Sequence, residues 1–244
     1  MSYVIRHCRS ANELESCVAL QKKVWGYSDH EVYPLRLFVN IQRVGGHVIG
    51  AFTARGEMAG FVAALPAWHG RRRFLHSLSL GVLPGHENQG LGRALKLEQR
   101  KAALKDGISC IEWTFDPMRS KNAFLNIVRL GAIVRRYLPD FYGRVDSRLQ
   151  LGLPSDRLVA EWWLKSPRVK RVLAGKPARP ERKPPVAKVA VPLDLDARVA
   201  ASLEQAREWQ LRVRDDLEKC FKRKLVITGF ERTETEGWFL LDRL

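Results

Sequence analysis

The sequence contains no apolar run approaching the ~20 residues of a membrane-crossing helix. Its first residues, Met1 to Ser10, lack the apolar middle of a secretory signal, so a cytoplasmic location is expected. Cysteine is scarce, and Cys8, Cys17, Cys110 and Cys220 show neither CxxC pairing nor the His-linked spacing of a metal site. Neither a disulfide nor a metal is therefore expected. Cys110 lies in an apolar run, where a thiol behaves as a small core side chain. Ser, His and Asp are all present, but no GxSxG elbow accompanies them, which leaves a hydrolase triad without support.

Acidic residues are also in deficit, with 26 Asp and Glu against 42 Lys and Arg and a formal charge of +16. The excess is uneven. Residues 165–188 hold nine Lys and Arg against one acid, Glu181, together with Pro167, Pro177, Pro180, Pro184 and Pro185, the composition of an extended linker. Residues 1–150 carry 22 basic and 12 acidic side chains, whereas 189–244 are close to neutral. No aromatic-interleaved basic helix or named nucleic-acid motif is present, so nucleic acid is not the expected partner. The excess reads as solubility and attraction of an anionic ligand. A hydrophobic content of 45% over 244 residues is enough for one substantial core with a small accessory region.

What is present is concentrated between Leu80 and Leu95. An apolar strand ends at Pro84, a short polar loop follows, and Gly90 and Gly92 open a long helix through Asp106. The first N–H groups of a helix have no internal partner and sit at the positive end of its dipole, and glycines let the loop backbone approach a phosphate. A phosphate-bearing ligand follows. Gly85 and Gly90 have the spacing of a Walker loop, but Leu91 and Gly92 stand where its Lys and Ser or Thr belong. A dinucleotide fingerprint fails at Leu95, which replaces the third glycine.

The remaining pattern is mixed. Tyr3 to Cys8 reads as a strand, Asn12 to Trp25 and Leu35 to Val44 as helices, and His47 to Thr53, Met58 to Leu65 and Phe74 to Val82 as successive strands. Strand Ser109 to Phe115, helix Asn122 to Leu130 and extended stretches Ala132 to Leu138 and Leu158 to Leu164 follow the glycine helix. This order, with the loop of the form Gln or Arg, two residues, Gly, one residue, Gly or Ala, resembles the GNAT acyltransferases over about residues 1–150. Glu87 stands in the Gln or Arg position. The helix from Asn122 is similar to the family's Asn, Ala, aromatic, Gly pattern, with Gly131 as the glycine and Ile127 where a Tyr is common.

The resemblance implies an α/β fold, a mixed and mostly antiparallel sheet flanked by helices, that uses acetyl-CoA or another acyl-CoA as donor without a metal. It implies that the main chain at Leu80 and Val82 takes the pantetheine arm, that N–H groups of Glu87, Asn88, Gln89, Gly90, Leu91, Gly92 and Arg93 hold the pyrophosphate, and that Asn122 and Asn126, one turn apart, reach the same arm. Arg93, Lys96 and Arg100 are offered to the other phosphates. A base is needed because an amine attacks a thioester only when deprotonated. Alternation places Glu112 with Thr114 and Asp116 on one face of its strand, and Glu112 is the first candidate base. The same carboxylate would serve equally as the buried partner of an arginine. His76 is the second candidate, although alternation with Phe74, Leu78 and Leu80 also suits a core histidine, while Ser77, Ser79 and Gly81 share the opposite face. With Ile127 unable to protonate a leaving thiolate, either the thiolate leaves unprotonated or Tyr142 or Tyr137 is the acid.

Beyond the expected final core strand at 151–164 and linker at 165–188, Ala200 to Phe221 has apolar residues at three- and four-residue steps, and Leu225 to Phe230 with Trp238 to Leu241 reads as a hairpin. A helix and one hairpin bury too little to stand alone, so 189–244 should pack on the core or on a second copy in a homodimer. The expected reaction is acyl transfer to a primary amine on a small molecule or peptide. The alternatives are a non-catalytic acyl-CoA-binding protein and, third, a nucleic-acid-associated factor working through 165–188.

Overall fold

In the computed structural model, which describes residues 2–143, 150–179 and 184–244, local sequence signals set the first elements. Strand β1 (Val4–His7) leads to α1 (Ala11–Trp25), whose N-terminus is capped by Ser10 accepting the Glu13 N–H and whose C-terminus closes at Gly26 with φ 66°. Then come α2 (Leu35–Arg43), β2 (His47–Phe52), β3 (Met58–His69), β4 (Arg72–Val82), α3 (Leu91–Lys105) and β5 (Cys110–Phe115). The described residues form two compact units, one up to Glu112 and one from Trp113. Pro180 and Glu181 of the expected linker lie outside the described residues, as do 144–149 at the end of the expected first domain.

In the first unit β1, β2, β3 and β4 pair antiparallel in order, and β5 joins β4 in parallel at Leu75–Ile111 and His76–Glu112. Helices α1 and α2 cover one face, where Leu14, Leu20, Phe38 and Ile41 meet Val48, Phe61 and Ala63. Helix α3 covers the other through Leu91 and Leu95 against Ile49, Ala51 and Val62. Each buried side chain of this kind is worth about 1.5–3 kcal/mol, so the two clusters fix which face each strand residue presents.

Strand β4 departs from simple alternation. Ala63 pairs with Ser79 and Ala64 with Ser77, so Leu78 is an extra residue, a β-bulge. Beyond it Leu80 and Val82 pack on the α3 side, while a Cβ at Gly81 would meet Leu20 and Trp25 of α1. Ser77 and Ser79 therefore do not share a face, and His76 does not share one with Leu80, contrary to the alternation expected. Strand β3 also runs past its expected end at Leu65 to His69. Its pairing with β2 stops at Ala64, so Pro66, which lacks an N–H, sits where β3 has β4 alone as neighbour.

The second unit continues through α4 (Ser120–Ala123), a π-helical turn (Phe124–Arg129), β6 (Ile133–Leu138), β7 (Arg157–Trp163), α5 (Pro167–Leu173), β8 (Ala187–Pro192), α6 (Leu195–Ala201), α7 (Leu203–Lys222), β9 (Val226–Arg232) and β10 (Glu236–Asp242). Its strands lie in the order β7-β6-β9-β10-β8. Residues 165–179, the described first part of the expected linker, are not extended as their prolines suggested. Ser166 caps α5 by accepting the Val169 N–H, and Pro167 sits in the first turn, where its missing N–H costs nothing. Arg168 donates to the carbonyls of Gly131, Ala178 and Thr228, tying the segment down. The C-terminal hairpin packs on this chain, since β9 pairs with β6 at Val134–Ile227. Among the described residues no helix is long and apolar enough to cross a membrane.

Candidate active site

The loop between β4 and α3 takes its shape from left-handed residues: Gly85 at φ 88°, Asn88 at 59° and Gly90 at 79°. A Cβ on Gly85 or Gly90 would meet nothing within 4 Å, so these glycines serve backbone conformation and access rather than packing. The first helical bond of α3 is Ala94 N–H to Gly90 O, which places the N–H groups of Leu91 and Gly92 ahead of the helix's own ladder. No side chain caps this end. The loop is anchored by Tyr3, whose hydroxyl lies 2.9 Å from His86 Nδ1 and donates to Gln89 Oε1, while Gln89 Nε2 donates to Gly85 O. The Gln89 side chain is thus part of the loop's internal bracing.

Upstream of the loop, the β4 bulge places the buried Ser79 Oγ without a hydrogen-bond partner among the described residues. Beneath the strand, Lys96 of α3 is 2% exposed and donates to Ser77 Oγ at 2.9 Å and Gln99 Oε1 at 3.0 Å. Burial drives its pKa down to about 7. Lys96 therefore turns under the sheet, and its expected role beside a phosphate is corrected: helix position alone did not reveal which side chain faces β4.

Glu112 stands at the last β4–β5 pair, directly beside His76. Its side chain is 3% exposed. Arg72 Nη2 donates to Oε1 at 2.8 Å, and His69 Nε2 lies 3.1 Å from Oε2. The His69 ring stacks on Phe74, with centroids 4.4 Å apart and planes at 13°. His69 and Arg72 face each other across the β3–β4 ladder, as do Leu65 and His76, so His69, Arg72, Phe74, His76 and Glu112 occupy one face of the sheet. Burial lowers the pKa of His76, against the opposing pull of Glu112. Sequence reasoning missed His69 and Arg72 because Pro66 ended the expected strand; the Gly70 turn between two polar, ring-bearing or cationic residues was the available signal.

Other expected site residues lie in the second unit. Asn122 is exposed and Asn126 buried, so the pair does not present one surface as an ideal α-helical turn would. The reason is the π-helical turn, closed by Leu130 N–H to Leu125 O, which shifts the helix phase between them. Ile127 is fully buried. The Tyr142 hydroxyl and Thr114 Oγ1 lie 2.8 Å apart, and Arg157 sits 5.2 Å from the Tyr142 ring centre. Burial raises the Asp116 carboxyl, which accepts the Met118 N–H. Tyr137 is raised as well, chiefly by burial, and donates its hydroxyl to Asp156, a structural bond within the second unit.

No curated protein matches the chain by sequence. Several solved structures share its fold. An acetyltransferase of the GNAT family from Streptococcus pneumoniae matches with a TM-score of 0.52 and 16% identity, over 66% of this chain and 98% of that one. YncA from Salmonella typhimurium, solved with its cofactor acetyl-CoA, matches at 0.51 and 17%, over 68% and 96%. A chain of the NatC complex bound to Gag peptide and CoA matches at 0.55 and 12%, over 66% and 98%. The model of the acetyltransferase (GNAT) family matches residues 14–124, a span that takes in the anchored loop, α3 and the Glu112 cluster. Over residues 14–124 the chain is thus similar to the acetyltransferase (GNAT) family.

Proposed function

We propose that the protein transfers an acetyl or other short acyl group from acyl-CoA to a primary amine on a small molecule or peptide. The observation that carries this reading is the placement of a bulged strand, an uncapped helix N-terminus and a buried carboxylate cluster along consecutive elements, β4 to β5, of a region that matches the acetyltransferase family model. The backbone from Glu87 to Gly92 and the side chain of Arg93 suit a pyrophosphate, because Gly90 leaves its Cβ position open and the helix end is positive. The main chain at Leu80 and Val82 suits the pantetheine arm, which would add to β4 as an extended strand. Ser79 Oγ offers a further polar contact there. The donor supplies a thioester carbonyl.

The chain's own part is to hold the acceptor amine, remove its proton and direct N–H groups of β4 at the carbonyl oxygen, where charge develops during attack. Proton removal falls to the buried cluster around Glu112, to which His76 and His69 belong. Tyr142 is assigned to proton return at the thiolate. A second reading, a non-catalytic acyl-CoA-binding protein, is favoured by one observation: both oxygens of Glu112 are engaged, by Arg72 and His69. Calorimetric titration with acetyl-CoA, followed by free-thiol release with a panel of primary amines, separates them. Binding with turnover that falls in Glu112→Gln supports the first reading, and binding without turnover across the panel supports the second. Absence of binding overturns both.

A further inference from the structure

We infer that His69, through Nδ1, is the group that takes the proton from the acceptor amine, with Glu112 as its positioning residue. The inference rests on the acyl-transfer reading above and deepens it. A carboxylate only accepts hydrogen bonds. Glu112 Oε1 already accepts from Arg72, so the bond at 3.1 Å between Oε2 and His69 Nε2 requires the proton on Nε2. In the neutral ring that fixes the tautomer and leaves the Nδ1 lone pair as the basic site. The imidazole side chain is 45% exposed, whereas Glu112 is 3% exposed and has both oxygens engaged. The histidine can meet an acceptor from solvent, and the carboxylate beneath it orients the ring, as buried carboxylates do for histidine bases.

The surroundings divide the labour between the two histidines of this face. His76 is half-buried, and its charged form is disfavoured by burial and by repulsion from His69 and Lys96. The groups facing the His69 ring are Glu112 from β5, Arg72 from the paired position of β4, His76 farther along β4, and the Phe74 ring stacked on it. Arg72 is already bonded to Glu112, which offsets its repulsion of a charged imidazole. In the step itself the ammonium N–H bond breaks, its proton passes to Nδ1, and the freed lone pair on nitrogen becomes the nucleophile. The exposed imidazolium then returns its proton to water. No co-reactant beyond acceptor and donor is needed.

Two measurements test the assignment. Long-range proton–nitrogen NMR of the ring reads the tautomer in the free protein: a protonated Nε2 is expected, and a protonated Nδ1 in the neutral ring overturns the proposal. The second is the pH profile of kcat/KM for thiol release with acetyl-CoA and the best amine of the panel. His69→Gln, at a half-exposed position expected to fold, should lower kcat/KM by about 10²-fold at neutral pH, leave acetyl-CoA affinity within twofold, and recover as rising pH deprotonates the amine unaided. Glu112→Gln should lower kcat/KM and, in the same NMR measurement, lose the fixed Nε2-protonated tautomer, because an amide can donate as well as accept. A wild-type profile in His69→Gln overturns the assignment alone, leaving acyl transfer standing. A wild-type protein that binds no acetyl-CoA overturns the parent reading, and the role of His69 with it.

Discussion

His76 and Leu80 lie on opposite faces of β4 although they are four residues apart in one strand. Leu65, opposite His76, packs with α1 and α2, whereas Leu80 packs with Leu91 and Leu95 of α3. Leu78 causes the reversal, because it is the extra residue opposite the Ala63–Ala64 step. The bulge thus lets one strand supply His76 to the polar cluster and Leu80 and Val82 to the core below.

Deleting Leu78 should leave the facing of both halves of β4 intact for that reason. Ser77 and Ser79 pair with the adjacent Ala64 and Ala63, so removing the extra residue restores simple alternation with Leu80 and Val82 still turned to α3. What is lost is one partly buried leucine, at most about 1.5–3 kcal/mol. Urea unfolding of the deletion variant should keep a cooperative transition, with stability lowered by no more than that. Loss of the cooperative transition would mean that Leu78 is not an extra residue in the ladder.

The element order, the glycine loop and Glu112 were legible because each rests on local signals: apolar alternation, helix punctuation and a carboxylate within an apolar strand. The bulge at Leu78 was not, since it depends on which residues of β3 stand opposite, and its omission misplaced Ser77 and Ser79. His69 was hidden behind Pro66, which breaks a strand only where a neighbouring strand needs an N–H at that position. Prolines misled again at 165–179, where Pro167 starts a helix and Arg168 supplies three long-range bonds. Long-range pairing decided each case.

Lys96 should make stability rise with pH. Its folded pKa, about 7, lies below the value of about 10.4 of an unfolded lysine. Between those values the unfolded chain binds the extra proton, so the penalty is complete below pH 7 and is relieved as pH climbs towards 10. From pH 7 to 9.5 this contributes about 2–3 kcal/mol. Chemical denaturation at the two pH values should show the rise in wild type and a smaller one, by that amount, in Lys96→Met. Parallel pH dependence in both proteins would contradict a neutral buried amine.

The second unit should depend on one ion pair. Asp156 is fully buried and accepts from Arg214 through two nitrogens, at 3.0 and 2.6 Å, as well as from the Asp140 N–H. Arg214→Met leaves that charge without its counterion, a loss on the order of 3–5 kcal/mol. Adding Asp156→Asn to the same protein should restore part of the stability, because an amide is cheaper to bury than a lone carboxylate. Equal stability of the single and double variants in thermal unfolding would refute the pairing argument.

Gly90 and Gly56 make a matched pair for the donor loop. Both adopt left-handed backbone, φ 79° and 80°, and at both a Cβ would meet nothing within 4 Å. Alanine at either position should therefore cost a similar amount, about 1–2 kcal/mol, through backbone strain alone. Only Gly90 adjoins the N-terminus of α3, where a strained or shifted backbone would misdirect the N–H groups of Leu91 and Gly92. Gly90→Ala should weaken acetyl-CoA binding by about tenfold, equivalent to 1.4 kcal/mol, while Gly56→Ala, in the turn between β2 and β3, binds as wild type does. Calorimetric titration reads the affinities and thermal unfolding the common cost. If both variants lost affinity equally, general destabilisation would explain the effect; if neither did, the pyrophosphate would have to sit away from this loop.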